Sequence, residues 1–164
     1  MATILRHLFF SRWQLRRAFP PSVLAAITRE ISAGEKLHGG EIRLAIEGCF
    51  HLRWLLTGLT PQARARQVFA DLGVWDTEHN SGVLLYVLLA GRHIEIVADR
   101  GYKGRVGDDE WAAICRELQA CFARGEFETG TISGLRQIVQ VIDRHFPRLD
   151  GDQNELPDAP VLLR

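Results

Sequence analysis

Cysteines are scarce in this sequence, and no two of them stand in a CxxC spacing. Cys49, Cys115 and Cys121 are an odd number in a chain of 164 residues, which argues against a disulfide framework and for a reducing compartment. Without a CxxC pair, a zinc knuckle or a thioredoxin-type redox site is not indicated. Free cysteines of this kind usually pack as small apolar residues.

Long apolar runs are also missing. No stretch approaches the roughly 20 apolar residues of a membrane-spanning helix. The N-terminal Leu8-Phe9-Phe10 is too short for the core of a signal peptide, and arginines follow it rather than precede it. We therefore expect a soluble cytoplasmic protein, with any membrane contact peripheral and at the inner membrane.

The sequence has no net charge and none of the familiar catalytic signatures. Its 20 basic and 20 acidic residues balance, which removes bulk electrostatics as an argument for nucleic-acid binding. No basic groove with interleaved aromatic residues supports that function either. A Gly-rich phosphate loop, a nucleophile elbow and an HExxH motif are all absent, so nucleophilic serine catalysis has no support.

The pattern of charged and apolar residues predicts that the chain is divided into three segments. Residues 1–19 form a basic amphipathic segment, with Leu5, Leu8, Phe9 and Trp13 at approximate helical spacing among four arginines. Such a segment binds an anionic membrane or a partner, or it packs on the core of its own domain with its arginines in water. Residues 20–147 are the expected α/β domain, and residues 148–164 a flexible C-terminal tail.

The centre of the domain is a predicted β-hairpin. Val83–Leu89 is an uninterrupted apolar run flanked by glycines, which indicates a strand covered on both faces. Gly91-Arg92 fits a two-residue turn with glycine at the first central position. Residues 93–99 then alternate and predict an antiparallel partner strand.

A parallel strand is expected next to this hairpin. Residues 41–47 alternate with period two, and Thr60-Pro61 starts a helix that leads to the buried strand. Strand, helix and strand make a βαβ unit with a right-handed crossover. Further helices are expected from Pro20-Pro21, from Gly107-Asp108 and from Thr129 or Thr131. The predicted fold class is α/β, with a small mixed sheet packed between helices.

This topology brings three polar loops to one edge of the sheet. Parallel pairing places the starts of the first two strands side by side, and the antiparallel third strand ends at the same edge. Residues 38–41, 76–81 and 99–101 therefore converge. Their candidate site residues are Glu41, Asp76, Glu78, His79, Asn80, Asp99 and Arg100.

Two chemistries suit these residue types. Asp76, Asn80, Asp99, Glu78 and Glu41 offer the oxygen ligands that calcium or magnesium prefers. A metal beside Arg100 and His79 would also orient a phosphate and activate a water. The structural alternative is that Asp76 and Asn80 cap turns, that Asp99 pairs with Arg100 or with a helix start, and that Glu78 and His79 are solvated.

From Val74 onward the sequence resembles the TPM-domain family. The resemblance is carried by Asn80-Ser81-Gly82, the apolar run 83–89, Arg92, residues 94–101, the helix from Asp108 and the glycines at 125–130. It covers roughly residues 22–146. It implies a compact α/β domain with a groove that binds divalent cations in some members, and acid phosphatase activity in the plant-type branch.

Asp76, Asn80 and Asp99 match the groove positions of that family best. The chain departs from the family pattern in its arginine-rich N-terminal segment, and we expect it to lack the signal peptide and membrane anchor that many members carry. Relatives without anchors resemble companions of membrane-anchored TPM and LemA-type proteins. We therefore expect a divalent-cation-binding module that acts with a membrane-associated protein partner, or alternatively a metal-assisted acid phosphatase.

Overall fold

The computed structural model describes residues 6–163 of the chain. Pairs of helices separate the strands through most of this range, and a short 3₁₀ turn follows the third strand at Arg100–Tyr102. In chain order the elements are α1 (Arg12–Ala18), α2 (Pro21–Glu35), β1 (Glu41–Glu47), α3 (Leu52–Leu56), α4 (Pro61–Asp71), β2 (Gly82–Leu88), β3 (His93–Ala98), α5 (Asp108–Ala123), α6 (Phe127–His145) and β4 (Val161–Leu163). Within residues 6–163, no helix combines the length and the apolar character needed to cross a lipid bilayer.

The helices begin at local capping signals. Thr60 precedes α4, and its Oγ1 accepts the N–H of Ala63 at 3.2 Å, as an N-cap residue does. The last helix, α6, begins at Phe127, two residues before the earlier of its two predicted starts. The Phe127 ring lies 5.8 Å from Phe19 and 5.1 Å from Phe122. Because this residue packs on the core, the helix starts earlier than its polar threonines suggest.

The strand order in the sheet is β3-β2-β1-β4. β1 runs parallel to β2, with Glu41 opposite Gly82, and β2 runs antiparallel to β3, with Val83 opposite Ala98. The predicted βαβ unit and hairpin are therefore both confirmed, and with them the α/β fold class.

The turn between β2 and β3 differs from its prediction. It spans four residues, Leu89 to Arg92, and is closed by the Arg92 N–H donating to the Leu89 carbonyl at 3.0 Å. Arg92 rather than Gly91 has the positive φ, 49°. The prediction of a two-residue turn was wrong. Leu89 and Ala90 donate their N–H groups to the carbonyl oxygens of Glu47 and Gly48, so they continue the pairing with β1 and do not pair with β3.

A fourth strand comes from the C-terminal segment 148–164, for which the sequence indicates no regular element. Val161–Leu163 pairs in parallel with the end of β1, with Ala45 opposite Val161. The strand has only three residues and follows Pro160, so it lacks the alternation that reveals longer strands. The segment closes the edge of β1 that the hairpin leaves open.

Two apolar layers cover the sheet. One face packs against α2, α5 and α6, with a core that includes Ile27, Ile31, Leu85, Leu118 and Ile138. The other face packs against α3, α4 and the C-terminal segment through Phe50, Ala65, Val68, Tyr86 and the partly buried Leu156. All seven residues of β1 and of β2 are buried, although β1 alternates polar and apolar residues. The charged side chains on the polar face of β1 are therefore buried, and they need hydrogen-bond or ion-pair partners inside the protein.

Candidate functional site

The three polar loops do meet at the amino-terminal edge of β1 and β2. Ser81 Oγ donates to the Gly39 carbonyl at 3.1 Å, and the Glu41 N–H donates to the Ser81 carbonyl at 3.3 Å. On the other side, the Gly101 N–H donates to the Asn80 carbonyl at 3.1 Å. The loop 76–81 thus lies between the other two and is bonded to both.

Gly101 is required for this close approach. A Cβ at this position would lie 2.4 Å from the Asn80 carbonyl oxygen and 2.8 Å from Cζ of Phe146, distances that backbone and core atoms do not tolerate. The glycine therefore allows the loop after β3 to contact the loop before β2. The glycine of the Asp99-Arg100-Gly101 sequence is therefore required for steric reasons.

Asn80, Asp99 and Arg100 form the polar centre of this edge. Arg100 Nε donates to Asn80 Oδ1 at 2.5 Å, and the Arg100 N–H donates to Asp99 Oδ1 at 2.7 Å. Asn80 has a positive φ of 53°, a conformation that asparagine adopts more readily than most residues. Asp99 Oδ2 is buried and has no hydrogen-bond partner among the described residues. The arrangement leaves one carboxylate oxygen without a donor.

Tyr102 forms the floor of the edge, and no pattern in the sequence singles it out. Its hydroxyl donates to the Ser81 carbonyl at 2.9 Å, while its ring lies 4.8 Å from Phe146 and 5.6 Å from Trp111. Burial, with a smaller contribution from the charge of Asp99, raises the pKa of this phenol. Tyr102 therefore stays protonated and holds the loop as a hydrogen-bond donor.

Asp76, Glu78 and His79 have exposed side chains in the same loop. The Glu78 backbone N–H donates to the Glu155 carboxylate at 3.1 and 3.2 Å. Within residues 6–163, no three His, Cys, Asp or Glu side chains are grouped so that they could hold a metal ion. The five predicted ligands share an edge of the sheet, and metal binding by them stays a prediction.

Glu41, one of these predicted ligands, is bonded to the C-terminal segment. Its two carboxylate oxygens accept the N–H groups of Glu155 and Leu156, each at 3.1 Å. The side chain is buried, and its burial raises the pKa, which the nearby charges of Glu155 and Asp158 raise further. Both carboxylate oxygens of Glu41 are therefore occupied by the C-terminal segment.

Glu35, at the end of α2, is a second buried carboxyl group beside the same segment. Its Oε1 accepts the Ile42 N–H at 3.0 Å, and its Oε2 accepts the side-chain amide of Asn154 at 3.2 Å. Burial, and then the charges of Glu41 and Asp158, raises the pKa of Glu35 to about 9. Glu35 is therefore protonated near neutral pH, a property that no spacing in the sequence indicates.

The opposite edge of the sheet carries a buried ion pair. Glu47, which is 0% exposed, accepts hydrogen bonds from Arg64 at 3.0 to 3.3 Å and from the Tyr86 hydroxyl. The Arg64 guanidinium also stacks over the Trp54 ring at 4.6 Å. A charge at the end of β1 is thus satisfied from α4 and β2, so this cluster stabilises the crossover.

The N-terminal segment lies at that opposite edge. His7 Nδ1 accepts the Phe50 N–H at 2.9 Å, and the Phe10 ring packs so closely on Gly48 that a Cβ there would lie 2.8 Å from it. Burial lowers the pKa of His7, which keeps its ring neutral and able to accept that bond. These contacts fix the segment to the domain.

Several large side chains of the segment nevertheless remain in solvent. We define the N-terminal surface as Leu8, Phe9, Arg12, Trp13 and Arg16. Phe9 is 78% exposed and Trp13 is 64% exposed. The residues predicted to share one helix face do not form a continuous helix, because Ser11 starts α1 with a capping box to Gln14. Leu5, the fourth apolar residue of the predicted face, lies outside the described residues.

Solved structures show where this fold occurs. BA42 from the psychrophilic bacterium Bizionia argentinensis is similar, with 28% identity, 87% of this chain and 93% of that chain covered, and a TM-score of 0.76. The N-terminal domain of a protein from P. gingivalis has the same fold, at 19% identity and a TM-score of 0.61, covering 79% of this chain and 81% of that chain. No curated protein matches the chain.

The sequence itself identifies the family. The family model described as the TPM domain matches residues 16–141, which include all three loops of the polar edge as well as β1 to β3. This range extends from α1 into α6, so the match covers the whole sheet except β4. The chain belongs to the TPM-domain family.

Proposed function

We propose that this TPM domain is a binding module that docks on an anionic membrane surface through its N-terminal surface. There it would act with a membrane-anchored protein, of the TPM or LemA type that the resemblance implies. The supporting observation is that Phe9 and Trp13 are exposed beside arginines on a segment that His7 and Phe10 attach to the domain. The sequence places no acidic residue before Glu30.

The chemistry of the N-terminal surface suits the membrane interface. Aromatic rings and basic side chains on one short amphipathic segment insert into the headgroup region, and each arginine adds about 1 kcal/mol of attraction to anionic lipid. No residue of α1 is fully buried. Leu15 and Ala18 pack partly against the core, whereas Trp13 on the same helix is 64% exposed. A helix whose apolar side chains served only the core of its own domain would bury Trp13 as well.

Vesicle flotation tests this function with two matched tryptophan variants. Trp75, which is 53% exposed, lies in the loop of the polar edge and provides the control for Trp13. We expect Trp13→Ala to weaken partitioning onto phosphatidylglycerol vesicles about tenfold, since a buried aromatic ring contributes about 1.5–3 kcal/mol. Trp75→Ala should have no effect, and vesicles of phosphatidylcholine alone should bind weakly. Equal losses in both variants, or no partitioning at all, would contradict the proposal.

A second function, divalent-cation binding at the polar edge, is favoured by one observation. Among the described residues, Asp99 Oδ2 is a buried oxygen without a donor, and Arg100 donates both to the other oxygen of Asp99 and to the amide oxygen of Asn80. Calcium titration by calorimetry tests it: binding should be lost in Asp99→Ala, weakened in Asp76→Ala and unchanged in Asp150→Ala. Absence of heat in the wild type would exclude it.

Hydrolysis of phosphate esters is the alternative implied by the family resemblance. Arg100, the predicted phosphate partner, already donates to Asn80 and lies beside a carboxylate, so the edge offers a phosphate little free positive charge. A generic phosphate-ester assay at acidic and neutral pH, with Asp99→Ala as the control, decides this alternative. Turnover that disappears in the variant would support it.

A further inference from the structure

A cavity of about 530 Å³ lies between the N-terminal segment, the turn after β2 and the far end of α5. Gln14, Arg17 and Ala18 line it from α1, and Gln119, Phe122 and Ala123 line it from α5. Both triplets have the i, i+3, i+4 spacing of one helix face. We call this space the α1–α5 cavity.

The walls of the α1–α5 cavity are mostly apolar. The end of β2 and the turn supply aliphatic side chains, and three phenylalanines besides Phe122 contribute rings. Its other apolar lining residues are Phe9, Phe10, Val87, Leu88, Leu89, Ala90, Ile94 and Phe127. A volume of several hundred Å³ with such walls and a few polar groups is typical of a small-molecule site.

The charge of the cavity has one sign. Arg6, Arg17 and Arg92 line it, and no aspartate or glutamate does so among the described residues. None of the three guanidinium groups forms an ion pair with a carboxylate within residues 6–163. Because guanidinium groups bind carboxylates and phosphates by paired hydrogen bonds, the cavity is complementary to an anion joined to an apolar body.

The backbone at Arg92 gives an independent indication. Arg92 has a φ of 49°, a conformation that favours glycine, and it directly follows Gly91. A strained residue that persists at the rim of a cavity is characteristic of functional sites. We infer that arginine is present at position 92 because its side chain lines the cavity, and not because the turn requires it.

We propose that the α1–α5 cavity binds a medium-chain fatty carboxylate, with the aliphatic chain against the apolar walls and the carboxylate on the arginines. This goes beyond membrane docking, because a single molecule in a cavity is a different event from insertion into a bilayer. Trp13 and Arg16 belong to the N-terminal surface but do not line the cavity, so the two functions are separable by mutation.

Calorimetry with sodium dodecanoate, below its micellar concentration and on the full chain, tests the proposal. We expect saturable binding that weakens about tenfold or more in Arg17→Gln/Arg92→Gln, since charge-assisted hydrogen bonds are lost. Arg16→Gln is the matched control, because Arg16 is a neighbour on the same helix outside the cavity, and it should bind like the wild type. Arg92→Gly should bind weakly while unfolding at the same or a higher temperature.

Two further probes separate the apolar and the anionic contributions. Octanoate should bind at least about tenfold more weakly than dodecanoate, since each CH₂ adds to the buried area, and dodecyl maltoside should bind more weakly than dodecanoate because its head is neutral. Equal affinity of the arginine variant and the wild type, or no saturable heat, would overturn the proposal. Arg16→Gln also distinguishes it from membrane docking: dodecanoate binding should persist there while vesicle binding falls.

Discussion

Replacing Glu35 by glutamine should change how the stability of the domain depends on pH. Glu35 is 7% exposed and lies between the end of α2 and the C-terminal segment, where it accepts from Ile42 and Asn154. Burial, together with the charges of Glu41 and Asp158, raises its pKa from 4.5 to about 9. Glutamine has nearly the same shape and resembles the protonated carboxyl group, but it cannot ionise.

The sign and size of the effect follow from proton linkage. Between pH 4.5 and about 9 the folded protein keeps the Glu35 proton while the unfolded chain releases it. The folded state then binds more protons, so the free energy of unfolding falls by about 1.4 kcal/mol for each unit of rising pH. From pH 5 to pH 8 the contribution of Glu35 amounts to about 4 kcal/mol. It is fully present below pH 4.5 and is lost towards pH 9.

Urea denaturation at a series of pH values measures this directly. The wild type should lose stability from pH 5 to pH 8, with Glu41 adding to the loss because burial also raises its pKa. In Glu35→Gln the slope should fall by about 1.4 kcal/mol per pH unit, so that the variant is the more stable protein at pH 8. Glu78→Gln, at an exposed position, should keep the wild-type slope.

Two results would refute this reasoning. A wild type of constant stability between pH 5 and pH 8 would mean that Glu35 is solvated and titrates normally. A Glu35→Gln variant with the wild-type slope would place the proton uptake at another group. In either case the C-terminal segment would not cover Glu35 as the structure shows.

Three further substitutions test the packing. Gly82→Ala should cost more than about 3 kcal/mol in thermal unfolding, because a Cβ there would lie 1.9 Å from the Val74 carbonyl oxygen; Gly107→Ala, which meets no atom within 4 Å, should cost far less. Tyr86→Phe should lower the free energy of unfolding by about 1.5–3 kcal/mol in urea titration, since it removes a donor to a buried carboxylate. Leu156→Ala should cost about 2 kcal/mol and reduce hydrogen-exchange protection in β4, whereas unchanged protection would show that the segment does not pack there.

Connectivity predicts much of this fold because its main elements carry strong periodic signals. The apolar run 83–89 and the alternating residues 93–99 fix two strands and their pairing, and a helix between two strands requires the parallel β1. The same rules place the loops at 76–81 and 99–101 together. These features depend only on the order of helices and strands, which the periodicity of the sequence predicts.

The sequence does not predict which side chains of the strands and loops are buried or which partners they contact. Glu41 and Glu47 alternate with apolar residues in β1 and suggest a solvated face, yet both are buried because α4 and the C-terminal segment cover that face. β4 is three residues long, too short for a periodic signal. The sequence therefore predicts that the loops converge, but it does not predict that the carboxylate oxygens of Glu41 bind the C-terminal segment.

The most direct test of the proposed function is residue-resolved NMR of the full chain titrated with phosphatidylglycerol bicelles. Docking through the N-terminal surface predicts that the amide chemical shifts of residues 8–16 change most, while those of residues 76–81 and 99–101 at the opposite edge of the sheet keep their positions. Larger shift changes at the polar edge, or an unchanged spectrum at every lipid concentration, would contradict docking through the N-terminal surface.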